Sequence, residues 1–188
     1  MAVIIGIDEV GRGCWAGPVV AAAVVLTKPI HGLRDSKKLS KMKREQLAQL
    51  IYASAHVGLG WISAQQIDSL GLGMAIKLAM QRAIAQITVE ANSVIVDGNV
   101  NYLGDIPIAR ALTRADDSVP AVSAASIVAK VARDTYMREI ALRFPDYGFE
   151  HHVGYGTSLH RQRLLEHGPC DLHRFSFKPI KAGLELAR

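Results

Sequence analysis

Residues 5–26 read IGIDEVGRGCWAGPVVAAAVVL. Two apolar, β-rich runs, 3–8 and 17–26, stand on either side of a glycine-rich turn, and this spacing predicts a hairpin or short meander. The first run closes on two acids, Asp8 and Glu9, and Gly11, Arg12 and Gly13 follow at once. Adjacent strand residues point to opposite faces, so the two acids share a site only if the strand bends or ends there. The glycines make such a bend accessible.

Outward from this stretch, the pattern continues with helices. Ser40 is a cap candidate for a helix through SKMKREQLAQLIYASA, in which Leu47, Leu50 and Ile51 recur at helical spacing. HVGLGWI predicts a third strand with Gly58 and Gly60 on one face. Ser63 to Ile87 reads as helix with a break at LGLG, and SVIVDG as a short buried strand ending in Asp97. The segment IPIARALTRADD gives an ambiguous strand and a turn. Pro120 then opens a long helix with Ala124, Ile127, Val128, Val131, Met137, Ile140, Ala141 and Phe144 on one side, and Ser123, Ser126, Lys130 and Arg133 opposite. FPDYG ends it, a glycine–tyrosine turn and another helix follow, and the tail from Pro169 is basic. Three strands first, then strands alternating with helices, predict a single α/β domain with a mixed sheet over 1–188.

Composition fits that expectation. The 188 residues are 49% hydrophobic and 21% charged, with no apolar run long enough for a membrane span and no basic-then-apolar leader. Cys14 and Cys170 form no CxxC pair, so neither a disulfide framework nor a zinc site is expected, and a reducing, cytoplasmic setting is the default. The net charge of +5 is concentrated: residues 28–45 carry seven Lys and Arg against two acids. Such a local excess draws polyanions, and equally describes a solvated helix face.

The acids fall at strand ends: Asp8 and Glu9, then Asp97, with Asp116 and Asp117 just ahead of the long helix. Strand ends are where open α/β sheets build ligand sites. Carboxylates gathered there repel one another unless a hard cation such as Mg²⁺ or Mn²⁺ neutralises them, and two such ions suit phosphodiester hydrolysis. Taken singly, each acid is as readily a helix cap or a surface charge. Beside a glycine–arginine–glycine turn in a basic protein, the pair favours a site. The turn lets backbone approach a ligand, and Arg12 could hold a phosphate.

Six blocks, GIDEVGRGCWAGPVVAAAV, DSKKLS, VDGN, VPAVSAASIVAKVARD, FPDYGFEHHVGYGT and HGPCDLHRFSF, occur in the order and spacing of bacterial type 2 ribonuclease H, which this chain resembles from about residue 4 to 180. The resemblance implies a ribonuclease H-like fold, a five-stranded mixed sheet flanked by helices, with a helical C-terminal extension over about 145–188. It implies hydrolysis of the RNA strand of RNA/DNA hybrids and incision 5′ of ribonucleotides embedded in duplex DNA, leaving 3′-hydroxyl and 5′-phosphate, with Mn²⁺ or Mg²⁺ at a two-metal site.

By the same resemblance Asp8, Glu9 and Asp97 match metal-binding catalytic acids. Counting back from Val119-Pro120, Asp116 takes the fourth place and Asp117 is the alternative. Gly11, Arg12 and Gly13 match the motif that approaches the ribose 2′-hydroxyl, the group that separates RNA from DNA. Tyr155 matches the tyrosine packing on the following deoxyribose, and Lys37 and Lys38 match backbone-contacting lysines. Trp15 stands where relatives carry a smaller aliphatic residue; it packs beneath the glycine turn or touches substrate, and packing is the expectation. Val153 and Phe175 replace a common lysine and arginine, lowering positive charge near the groove. Five histidines between 151 and 173 read as surface, cap or phosphate-proximal groups, Cys14 as buried packing, and Trp61 as core.

Three rivals remain at this point. All four acids argue against an inactive hybrid-binding protein, and the GRG and GYGT blocks against a DNA junction resolvase or integrase-like enzyme. A start at the first strand argues against the third ribonuclease H type with its added N-terminal domain. A monomer is expected, and the tail KPIKAGLELAR shows no clear sliding-clamp motif.

Overall fold

The computed structural model describes residues 2–181, so the last seven residues of the tail lie outside the described residues. Five strands form one sheet in the order β3-β2-β1-β4-β5, with β1 at Ile4–Val10, β2 at Val19–Leu26, β3 at Ala55–Ile62, β4 at Ser93–Asp97 and β5 at Ala109–Leu112. β1, β2 and β3 form an antiparallel meander, whereas β4 and β5 run parallel to β1. The expected mixed sheet is therefore present. β1 does not stop at the acids as the sequence suggested; it pairs on through Glu9↔Ala21 and Val10↔Val20.

β2 explains why the sheet sits in the middle of the molecule. Val19, Ala21, Ala23 and Val25 face one core, and Ala22 and Val24 face the other. Small residues on a strand buried on both sides let helices pack close on either face. On the first face lie α2 at Ala64–Leu70 and α3 at Leu72–Ile84, broken at Gly71 with φ 76°. A Cβ at Gly60 would stand 1.8 Å from the Ala79 carbonyl oxygen, and at Gly58 2.1 Å from that of Ala83. Those two glycines are the seat of α3. On the second face lie α1 at Lys41–Ser54, capped as expected by the Ser40 hydroxyl, and α5 at Pro120–Ala141, opened by Pro120.

α5 departs from a simple amphipathic helix. Its polar side is also interior, with Ser123, Ser126 and Arg133 all buried. The Ser123 hydroxyl donates to the Asp116 carbonyl and the Ser126 hydroxyl to the Ser36 hydroxyl, and Arg133 is covered by the loop at 16–18 and the C-terminal segment. That segment comprises α6 at Phe149–His152, which the sequence did not announce, and α7 at Ser158–His167. Phe149, Tyr147, Met137 and Ala16 form its small core. Trp61 is half-buried rather than core, edge-on to Tyr136 with ring centroids 5.6 Å apart.

Candidate active site

Parallel pairing brings the first two acids together. β1 and β4 are in register at Ile7↔Val96, so one step further along both strands places Asp8 beside Asp97 on neighbouring strands, about 4.8 Å apart in spacing. The third acid arrives by a turn. After β5 the chain passes through Arg114, at φ 57°, into α4 at Ala115–Ser118. The N–H groups of Ala115 and Asp116 donate to Asp97 Oδ1 at 2.8 and 3.4 Å, so Asp97 anchors the turn that carries Asp116. Asp8, Asp97 and Asp116 each bring an oxygen within 4.8 Å of the others.

Asp117, the alternative fourth acid, points elsewhere: it forms a pair with Lys38 Nζ at 2.6 and 2.7 Å. Glu9 is not within that triad, although its charge acts on Asp8 and that of Asp97 acts on it. One of its oxygens meets Arg12 Nη1 at 3.0 Å. The other, Oε2, is buried without a hydrogen-bond partner.

Crowding shows in the proton affinities. Burial, then the Glu9 charge, holds the Asp8 carboxyl well above the ordinary carboxylate range, with Asp97 adding and the Ser126 hydroxyl opposing. Burial and Asp97 likewise raise Asp116. Burial raises Glu9 although Arg12 opposes it. Ionised acids pressed together in this way are a site for a hard cation. The donor set is all carboxylate oxygen, and the orphaned Glu9 oxygen is a buried acceptor with nothing to accept; both fit Mg²⁺ or Mn²⁺.

Beside the acids runs an open cleft of about 540 Å³. Asp35, Asp97, Asp116 and Asp117 line it together with Lys37, Lys38 and Arg114. Lys37 is exposed there, while Lys38 is engaged by Asp117. On the other side lies the glycine loop. Gly11 has φ 93°, and a Cβ on it would meet Arg133 Nε at 2.5 Å and the Pro18 oxygen at 2.7 Å, whereas Gly13 faces open space. Arg12 is held at the loop edge by Glu9 and by the Tyr102 hydroxyl at 3.4 Å. Tyr155 is partly exposed, with Lys130 Nζ 5.5 Å from its ring centroid. Burial, then the neighbouring Cys14, pushes its phenol up to about 12.

Several residues at this site were missed in the sequence. Tyr102 and Asp35 carry no pattern of their own. Arg133 and Arg174 are fully buried and form no salt bridge among the described residues. Arg133 donates to the carbonyls of Pro18, Ala16 and Val153 at 2.8–3.1 Å. Arg174 donates to those of Gly17 and Arg12 at 2.9–3.0 Å. They fasten the loop from Arg12 to Pro18 and leave two positive charges beneath it. The charge lost at Val153 and Phe175 is thus accompanied by charge kept inside. Trp15 packs on Gly156 and 5.5 Å from the His160 ring, not beneath the glycine turn. Cys14 is buried, as expected.

A family model described as ribonuclease HII matches residues 5–180. The chain belongs to the ribonuclease HII family. A ribonuclease HII of Halorhodospira halophila is 48% identical over 182 residues, covering 95% of this chain and 93% of that protein. One of Maricaulis maris is 46% identical over 184 residues, covering 97% and 84%. Among solved structures, ribonuclease HII of Archaeoglobus fulgidus, determined in complex with PCNA, superposes with a TM-score of 0.80 at 26% identity, covering 94% of this chain and 95% of that one. Members of the ribonuclease HII family are endoribonucleases, and the sheet order with its flanking helices is the ribonuclease H fold. Among the described residues no helix is long and apolar enough to cross a membrane.

Proposed function

We propose that this ribonuclease HII hydrolyses the RNA strand of RNA/DNA hybrids and cuts 5′ of single ribonucleotides embedded in duplex DNA, leaving 3′-hydroxyl and 5′-phosphate. The observation that carries this reading is one juxtaposition: three converged carboxylates, with Asp8 among them on the strand that leads into a glycine loop whose Gly13 faces open space. Asp8, Asp97 and Asp116, with the orphaned oxygen of Glu9, are the residues that would hold Mn²⁺ or Mg²⁺. Such ions, when bound, lower the pKa of water and stabilise a departing alkoxide oxygen.

The protein's own residues do the rest. Asp97 fixes the position of Asp116 through two backbone N–H groups, so the acids are held ready rather than assembled on binding. Gly11, at φ 93° and tight against Arg133 and Pro18, lets the loop turn, and Gly13, which faces open space, leaves the loop backbone free to meet a 2′-hydroxyl. Arg12 is placed to meet a phosphate once it exchanges its contact with Glu9. Tyr155 presents a ring face beside that loop, suited to the sugar after the ribonucleotide. Lys37 offers an ammonium at the cleft, and Lys38 does so in competition with Asp117; such contacts position a duplex without reading its sequence. The chain would act as one catalytic domain and as a monomer, since one groove needs one copy. The PCNA-bound relative raises the prospect of a sliding-clamp partner, which the described residues do not themselves indicate.

Cleavage of an end-labelled DNA duplex containing one ribonucleotide, with Mn²⁺ or Mg²⁺, tests the proposal. A single 5′ cut, absent with EDTA and from an all-DNA duplex, is the expected result. Cutting of the all-DNA duplex would replace this reading with that of a DNA nuclease, and binding without cutting with that of a hybrid-binding protein.

A further inference from the structure

Three of the five C-terminal histidines are interior rather than at the surface or a cap as the sequence suggested: His152, His160 and His173 are 6%, 0% and 1% exposed. The His152 and His160 rings stack with centroids 4.3 Å apart and 13° between planes. His160 Nε2 and His173 Nε2 lie 3.0 Å apart. A hydrogen bond between two imidazole nitrogens holds one proton, and its direction follows from the groups at each end.

At one end His160 Nδ1 is 2.9 Å from the Tyr155 carbonyl oxygen. A carbonyl only accepts, so Nδ1 carries the proton and Nε2 of the neutral ring accepts. His173 Nε2–H is therefore the donor, and its Nδ1 is bare. At the other end the Cys170 N–H donates to that Nδ1 at 2.9 Å, closer than the Cys170 carbonyl oxygen at 3.2 Å, as this assignment requires. The bonds form one directed chain: Cys170 N–H to His173, His173 to His160, His160 to the Tyr155 carbonyl. His152 adds to the same segment. Its own carbonyl accepts the Tyr155 N–H at 2.9 Å, and its Nδ1 accepts the Gly154 N–H at 3.2 Å. The Tyr155 N–H is thus held by His152, and its carbonyl by His160 together with the Thr157 N–H at 2.8 Å.

We propose that His160 and His173 are positioning residues for Tyr155, setting the backbone from which its ring meets the sugar at the RNA–DNA junction. This rests on the function proposed for Tyr155, and it extends the site to residues that never touch substrate. An extra proton on His160 would sit on Nε2 and turn that acceptor into a donor facing the His173 donor. The titratable groups facing the pair are His152, Tyr147 with its ring 5.2 Å from His173, and Cys170 with Sγ 3.3 Å from His173 Nδ1.

Asparagine and glutamine separate the two bonds of His160. The Asn amide nitrogen occupies the place of Nδ1 and keeps the donor to Tyr155, whereas Gln reaches the place of Nε2 and loses it. Cleavage of a single-ribonucleotide duplex and of a uniform RNA/DNA hybrid is measured for wild type, His160→Asn, His160→Gln and Tyr155→Ala, with the melting temperature of each. The expected result is a fall in the ratio of the two kcat/KM values for His160→Gln of about five- to tenfold, the worth of one hydrogen bond, in the direction of Tyr155→Ala and restored in His160→Asn. Equal ratios in Asn and Gln variants that melt alike would overturn the positioning role. An unchanged ratio in Tyr155→Ala would instead overturn the function proposed for Tyr155. Imidazole ¹⁵N shifts of the wild-type protein test the chain without any variant. Protonated His160 Nδ1 and His173 Nε2 with bare partners are expected, and the opposite tautomers would overturn it.

Discussion

Replacing Asp8 with asparagine should make the metal-free protein more stable while abolishing its activity. Asp8, Asp97 and Asp116 have oxygens within 4.8 Å of one another. Two unit charges at that separation repel by about 3.5 kcal/mol at an effective dielectric of about 20, and by about 0.9 kcal/mol in bulk water. Asp8 faces the charges of Glu9 and Asp97, and asparagine can still accept the Glu9 N–H that Asp8 accepts at 2.8 Å. A net gain of about 1–3 kcal/mol follows, or roughly 3–9 °C in melting temperature for a chain of this size.

The sign can be followed through pH. The native state holds the Asp8 proton more tightly than the unfolded chain does, so wild-type stability falls as pH rises from about 3.9, the unfolded value, through the raised native value, and is level above it. The advantage of Asp8→Asn is therefore full at neutral pH and absent in acid. Thermal unfolding in EDTA at neutral and acid pH, then with Mg²⁺ or Mn²⁺, measures it. The added ion should raise the melting temperature of wild type more than that of the variant. A variant that melts lower than wild type at neutral pH, by the same amount in acid, would refute charge crowding as the property of this cluster.

Three further outcomes are expected. Asp116→Asn should remove cleavage by at least a hundredfold, on the order of a lost electrostatic contact in a transition state, whereas Asp117→Asn should leave it within a few-fold, since Asp117 pairs with Lys38; steady-state kinetics of both variants decides it. His160 and His173 are lowered to about 4, first by burial, so they stay neutral while the unfolded chain protonates near 6.5. Their contribution to stability is full above that value and is lost as pH falls toward 4, at about 1.4 kcal/mol per pH unit for each. Urea unfolding across this window should show a smaller loss in His160→Asn than in wild type. Gly11→Ala should lower the melting temperature and the activity together, because its φ of 93° and the 2.5 Å approach of Arg133 leave no room for a methyl group. Unchanged melting would show that the loop can move aside.

Much of the fold was legible because it is written locally. The Ser40 cap, Pro120 at a helix start and the Gly71 break each act within one turn of chain. The choice between Asp116 and Asp117 was not legible, since the two are neighbours with the same chemistry. It turns on Asp97 drawing in the Asp116 N–H and on Lys38 taking Asp117, contacts across 19 and 79 positions. Arg133 was placed on the polar side of α5, which periodicity assigns to water; the carbonyls that bury it come from residues 16, 18 and 153.

By itself the sequence determined the succession of strands and helices, the acids at the strand ends and the glycine turn beside them, because period, propensity and capping operate over a few residues. Only the tertiary structure decided which acids converge, that Glu9 stands outside the triad and is held by Arg12, and that three histidines line up behind Tyr155. Those outcomes depend on strand register and on packing between segments far apart in the chain, where no local pattern records the partner.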